Sequence, residues 1–162
     1  MTNSLSPSRN LGELLRERRL SIATAESCTG GALAAALTAI PGASDYFPGG
    51  VVAYSPAIKS AILGVPAAVI AADGVVSERC ALAMAQGARR VCRTSLGLAT
   101  TGIAGPSGGE PDKPVGLVFI ALAWGDGAVC RRFLYSGDRA TVIATATHDA
   151  LTLAVAHLHG RL

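Results

Sequence analysis

Aromatic residues are scarce in this chain, at 4%, and charged residues make up only 15% of it. Few charges, with a mean hydropathy of +0.42, exclude global disorder, because such a chain has ample apolar surface to bury. Too few rings for base stacking, and arginines that are scattered rather than gathered, argue against a nucleic-acid partner. Long apolar runs are missing too. Val115 to Trp124 is among the longest, far short of the ~20 residues a spanning helix needs, so no membrane partner is expected. The four cysteines, Cys28, Cys80, Cys92 and Cys130, form no CxxC pair and have no histidine at ligand spacing. That argues against zinc, and no metal or other cofactor is expected. The N-terminus shows no basic segment followed by an apolar core, so no secretory leader is expected. A cytoplasmic location with reduced thiols is the simplest reading.

What is present is small and aliphatic. Hydrophobic residues reach 50%, mostly Ala, Val, Leu and Ile, and 162 residues suit one domain covering 1–162. A net charge of +3 is compatible with a small anionic ligand. The tract from Ser6 to Arg19 reads as a helix with Leu11, Leu14 and Leu15 on one face. Ser21 to Ser27 reads as a strand, Gly31 to Ile40 as a helix stopped by Pro41-Gly42, and Val51 to Ser55 as a second strand. Ser55-Pro56 offers a hydroxyl cap and a proline at the first helical position, and Ser77 opens a long helix to about Arg93. A buried strand follows at Leu96 to Gly102. Val115 to Trp124 and Ala128 to Ser136 flank Gly125-Asp126-Gly127, a hairpin signal, before a last helix from about Asp138 to His157. This order predicts a three-layer α/β/α sandwich with a mixed, mostly parallel sheet, in which the hairpin supplies one antiparallel pairing. The glycine-rich turns follow predicted strands, at the carboxyl edge where open α/β sheets bind ligands.

Three segments could carry chemistry. Thr24 to Gly31 makes a strand-to-helix turn with Ser27 at its mouth. Small residues there let backbone amides meet an anion or a developing oxyanion; they also suit a plain helix cap with two glycines for close packing. The segment is not a G-x-S-x-G elbow. Cys28 is a rival nucleophile, although no histidine lies near it in sequence. Tyr54 to Lys59 is the second segment. A serine needs a base, and His148 on a polar helix face, with His157 and His159 at the tail, suit that role poorly. Lysine is the other established base for serine. The chain has only two lysines, Lys59 and Lys113, and both fall in these segments. Arginine stays protonated, whereas a lysine buried against apolar walls without a carboxylate can be tuned toward neutrality. An exposed Lys59 would be merely a solvated side chain. The third segment, Thr101 to Gly116, is long and rich in Gly and Pro, which suggests a binding loop; an ordinary connection would look similar.

Taken in order, TAESCTGG, GGVVAYSPAIKSAILGV, TGIAGPSGGEPDKPVGLVFIALA and YSGDR resemble the CinA C-terminal domain family, over about Leu11 to Leu158. That family has an α/β/α sandwich, and its members include nicotinamide-nucleotide amidases of pyridine nucleotide salvage. These hydrolyse the carboxamide of nicotinamide mononucleotide to nicotinate mononucleotide and ammonia. The resemblance implies a Ser-Lys dyad, with Ser27 as nucleophile, Lys59 as general base and Tyr54 as proton relay or positioning partner. It further implies that Cys28, Thr29, Gly30, Gly31, Thr101, Gly102, Gly105, Gly108 and Gly109 line the substrate pocket, and that Arg139 serves the phosphate or the structure. The family commonly has an Asn and a polar residue where this chain has Pro56 and Ala57. A larger relative carries an extra N-terminal domain, for which 162 residues leave no room. The expected partner is a phosphorylated nucleotide substrate, with room left for a homo-oligomer. The alternative to an amidase is a non-catalytic nucleotide-binding or regulatory domain of the same fold.

Overall fold

The computed structural model describes residues 6–162; the first five, part of the tract read for a leader, lie outside them. Helix α1 (Pro7–Arg18) begins where Ser6 Oγ accepts from the Arg9 amide and proline fills the first turn. Strand β1 (Ile22–Glu26) leads to helix α2 (Ala32–Thr38), a 3₁₀ turn (Ala43–Asp45) and strand β2 (Gly49–Val52). Helices α3 (Pro56–Ala61), α4 (Ala67–Asp73) and α5 (Glu78–Cys92) follow, then β3 (Leu96–Gly102), β4 (Leu117–Ala123), β5 (Ala128–Leu134) and α6 (Arg139–Leu158). Ser55 caps α3, Ser77 caps α5 and Asp138 caps α6, each accepting a first-turn amide. Among the described residues, no helix is long and apolar enough to cross a membrane.

The strands form one sheet in the order β2-β1-β3-β4-β5. β1 pairs in parallel with β2 and β3, whereas β3–β4 and β4–β5 are both antiparallel. The mixed sheet is as expected, but a second antiparallel pairing joins the hairpin. The reason is the connection: Ile103 to Gly116 contains no crossover helix, so β4 must return alongside β3 in the opposite sense. Two further differences are local. β2 starts at Gly49, ahead of the expected Val51, because Gly49 and Gly50 pair with Ala23 and Thr24. The short α4 is additional to the expected helices.

Alternation along β1 and β3 divides the interior. Ile22, Leu96 and Leu98 face a cluster with Leu11, Leu15, Leu33 and Leu37, to which α6 adds Val142, Ala146 and Ala150. Ala23, Ala25 and Ala99 face the other cluster, built with Leu63, Val65, Val69, Cys80 and Met84 from the α3–α5 side. Small residues bring α5 very close to the sheet. A Cβ at Gly97 would overlap the Ala85 carbonyl, and one at Gly87 would overlap that of Leu63. Overpacking of this kind costs about 1–3 kcal/mol, so Gly97→Ala should lower stability to urea by that amount. Gly125→Ala, where a Cβ meets nothing within 4 Å, should shift it by under about 0.5 kcal/mol. Equal losses in the two urea titrations would refute the close-approach account.

Candidate active site

Ser27 follows the last residue of β1, and its amide donates to the Thr100 carbonyl of β3 at 3.0 Å. Its side chain is 9% exposed, leaving a narrow opening to solvent. Lys59 sits in α3, where Ser55 and Pro56 start the helix and turn the residue inward; it is 1% exposed. Its Nζ donates to Ser27 Oγ at 2.8 Å and to the Ala53 carbonyl at 2.6 Å. The only carboxylate-bearing ion pair among the described residues is Arg79–Asp73, so Lys59 has none. Burial holds its amine below the ordinary lysine value, while the Cys80 and Cys28 thiols nearby act weakly the other way. A neutral amine in this position keeps a hydrogen on the Ala53 carbonyl and turns its lone pair to the Ser27 proton.

Glu26, directly before Ser27, is fully buried and was read from the sequence only as a strand residue. Its carboxylate accepts from Thr29 Oγ1 at 2.7 Å and from the amides of Gly31, Leu33 and Ala34 at 3.0, 2.9 and 2.8 Å. Thr29 Oγ1 is in turn 2.7 Å from Thr100 Oγ1. The start of α2 therefore already holds an anion supplied by the chain. The amides of Cys28 and Thr29 donate to no oxygen among the described residues; both lie near the Cys28 thiol. A lone acidic residue closing an otherwise apolar strand, just before a helix, is the signal that could have found this role.

The other site residues divide. Cys28 is 5% exposed within the apolar cluster, and burial pushes its thiol up to about 11. It is thus a poor thiolate and offers little surface to a substrate. Gly30 and Gly31 take positive φ, +60° and +105°, which shapes the turn after Thr29. Tyr54 is 61% exposed, and its hydroxyl accepts from Arg139 Nη2 at 2.8 Å; no hydrogen bond joins it to Ser27 or Lys59. Arg139 Nη1 also donates to the Gly105 carbonyl, at 2.9 Å, so the arginine straps Tyr54 to the glycine-rich loop. Thr101 is buried on the Ser27 side of the sheet, and its hydroxyl donates to the Val75 carbonyl at 2.7 Å. Gly102 lies where a Cβ would crowd Leu117 and Val118, which makes it a packing position.

Beyond Thr101, Gly74–Val76, Ile103, Gly108, Glu110 and Lys113 line an open cavity of about 360 Å³. Ser27 and Lys59 do not line it, nor do Gly105 and Gly109. The histidines stay away from the dyad: His148 is exposed on α6, and the His157 ring lies 4.1 Å from that of Trp124, packed rather than frayed. No three His, Cys, Asp or Glu side chains converge to hold a metal among the described residues.

Comparison with known proteins bears on this arrangement. The family model for the CinA C-terminal domain matches residues 5–158. A CinA-like protein of Anaeromyxobacter is 54% identical over 132 residues, covering 82% of this chain and 32% of that protein. Another from Geobacter metallireducens is 48% identical over 144 residues, covering 87% and 35%. The chain thus spans about a third of the length of the curated relatives it matches. Among solved structures, a CinA superfamily protein of Klebsiella pneumoniae superposes with a TM-score of 0.92 at 33% identity, covering 95% of this chain and 96% of that one. The competence/damage inducible protein CihA of Agrobacterium tumefaciens gives 0.88 at 35% identity, covering 98% and 99%. The fold and nearly the whole sequence agree, and this chain belongs to the CinA C-terminal domain family.

Proposed function

We propose that this chain is a nicotinamide-nucleotide amidase, a hydrolase that releases ammonia from the carboxamide of nicotinamide mononucleotide. One observation carries the reading: a buried lysine amine 2.8 Å from a serine hydroxyl, with no carboxylate to hold it charged. In the mechanism, Ser27 Oγ attacks the carboxamide carbon as its proton passes to Lys59 Nζ. Amides at the turn after Ser27, those of Cys28 and Thr29, receive the developing oxyanion. The C–N bond then breaks, and Lys59 returns the proton to the leaving nitrogen, which departs as ammonia. Lys59 next takes a proton from water as the water oxygen attacks the Ser27 ester, and returns that proton to Ser27 Oγ as it leaves; the acid released ionises to a carboxylate. Ammonia release from the wild-type protein with the mononucleotide tests the reading directly. Nucleotide binding without any ammonia would favour the regulatory alternative.

Nucleophile identity follows from the contrast between hydroxyl and thiol. Ser27→Ala should abolish turnover, whereas Cys28→Ala should retain most of it, because a thiol raised to about 11 is almost wholly protonated at neutral pH. The reverse pattern in two folded variants would hand the attack to Cys28.

The base has a pH signature. Only neutral Lys59 accepts the serine proton, and its ionisation lies below the ordinary ~10.4 of lysine, so the rate should rise with pH and level off before that value. Lys59→Arg keeps the positive charge without a titratable amine and should cost at least ~10²–10⁴-fold in kcat, the usual worth of a positioned base. Near-wild-type kcat in Lys59→Arg, or no rising limb with chemistry rate-limiting, would remove Lys59 from the role.

A further inference from the structure

Charge is spread unevenly along this chain. It has 14 Lys and Arg and 11 Asp and Glu residues, yet between positions 27 and 72 only Asp45 and Lys59 are charged. Lys59 is buried at the dyad, and Asp45 sits with Arg16 beside Gly42, ahead of β2. The exposed part of residues 49–62 therefore carries no charge of its own. It is also where apolar side chains reach solvent. Among the described residues seven large hydrophobic side chains are exposed, and Val52, Tyr54, Ile58 and Ile62 are four of them, within eleven positions. Single exposed hydrophobics are ordinary; a cluster of them depleted of charge has the composition of an interface core.

The fold gathers these residues at one edge of the sheet. β2 is a terminal strand, paired only with β1, so its outer N–H and C=O groups have no partner strand among the described residues. Ile58 and Ile62 are four positions apart on and just after α3, on its outer face, while Lys59 and Leu63 turn inward and are buried. Val52 stands opposite Glu26 in the register, which puts it on the α2 face, so the edge is apolar on both faces of the sheet. Arg139, tied to Tyr54, and Arg90, tied to the Leu63 carbonyl, border the patch as a polar rim. The opposite terminal strand is built differently. β5 exposes Arg131 and Arg132 at its middle, and charges on an edge strand block pairing with another copy. β2 has no such guard.

The absence of charge points to the occupant. A two-fold contact sets a patch against its own copy, so a charge near the axis meets its like. Two β5 edges would bring arginines together, whereas two β2 edges bring only apolar groups and free backbone. An acidic or basic partner finds no opposite charge here. We propose that two copies of this chain associate through the β2 edge and the outer face of α3, with β2 antiparallel to its copy and α3 beside its copy. The contact covers the helix that carries Lys59, a helix in which Lys59 is the one buried residue. The proposal stands apart from the amidase reading, because no turnover enters its test.

Sedimentation velocity over a range of concentrations reads the assembly, with folding checked by circular dichroism. The wild type should run at twice the mass of the chain. Ile62→Glu and Ile58→Lys should each raise the dimer dissociation constant at least about 30-fold, the usual effect of losing an interface hot spot. Either sign of charge should act, since each copy brings its like. Val91→Glu and Leu134→Glu, at exposed apolar positions outside the patch, should leave the dimer unchanged. Hydrogen exchange on the wild type needs no variant: amides of α3 and of the outer edge of β2 should exchange more slowly where the dimer forms than in dilute solution. A wild type that stays monomeric at every concentration overturns the proposal and leaves the patch to another occupant. So does a dimer with no added protection at β2 and α3, or one that survives both Ile62→Glu and Ile58→Lys. Loss in Leu134→Glu alone would move the contact to β5 and end the proposal equally.

Discussion

The buried amine of Lys59 is the constraint around which the rest of the site is arranged. An ammonium taken from water loses several kcal/mol of solvation, and only a close carboxylate or a full set of acceptors restores it. Here it meets a carbonyl and a hydroxyl, from Ala53 and Ser27. That is two of the three acceptors an ammonium needs, whereas a neutral amine has only two N–H groups to place. The Ala53 carbonyl is available because Ala53 follows β2 immediately, while its amide is held by the Glu26 carbonyl. Lys59 reaches it because Ser55 and Pro56 start α3 without delay. The dyad thus depends on two strand ends and one helix cap falling within a few residues of each other.

Support for this pair comes from the other face of the sheet. Glu26 and Ser27 are consecutive, so a strand directs their side chains to opposite sides. The carboxylate closes the start of α2 and fixes Thr29 against Thr100, while the hydroxyl turns to Lys59. The same alternation separates Thr100, in the Glu26 network, from Thr101, which anchors the Val75 segment. Keeping the carboxylate on the far side has an electrostatic consequence. A Glu beside Lys59 would favour the charged amine and remove its capacity to accept a proton.

Much of this was legible in the sequence, and the parts that were not have physical reasons. Serine and proline caps announced α3 and α5, because a first-turn acceptor is a local requirement met by few residue types; the caps of α1 and α6, Ser6 and Asp138, emerge only in the structure. The paucity of lysine singled out Lys59 before any distance was known. β2 was displaced in the reading because Gly49 and Gly50 carry no side chain to reveal a strand; Gly50 is needed there, since a Cβ would overlap Thr24. α4 begins at Pro66 with no side-chain cap and left no signature. The second antiparallel pairing depends on what the Ile103–Gly116 connection lacks, and absence of a helix is harder to read than its presence. The resemblance implied a role for Tyr54 beside the dyad; its hydrogen-bond partner, Arg139, lies 85 positions away in sequence, a pairing that no local pattern signals.

The strap and the cavity lie on either side of one loop. Arg139 grips the loop at the Gly105 carbonyl, toward the α2 and α6 side, while Lys113 grips the Asp73 carbonyl toward the α5 side. Between these attachments the loop has Gly108 at φ +91° and amides with no internal partner. A segment fastened at two points but unsatisfied between them can reshape locally without losing its attachment to the domain. The loop needs no hinge at its ends. Glu110 and Lys113 exchange backbone hydrogen bonds at the far end of this span, so the freedom is confined to Ser107, Gly108 and Gly109.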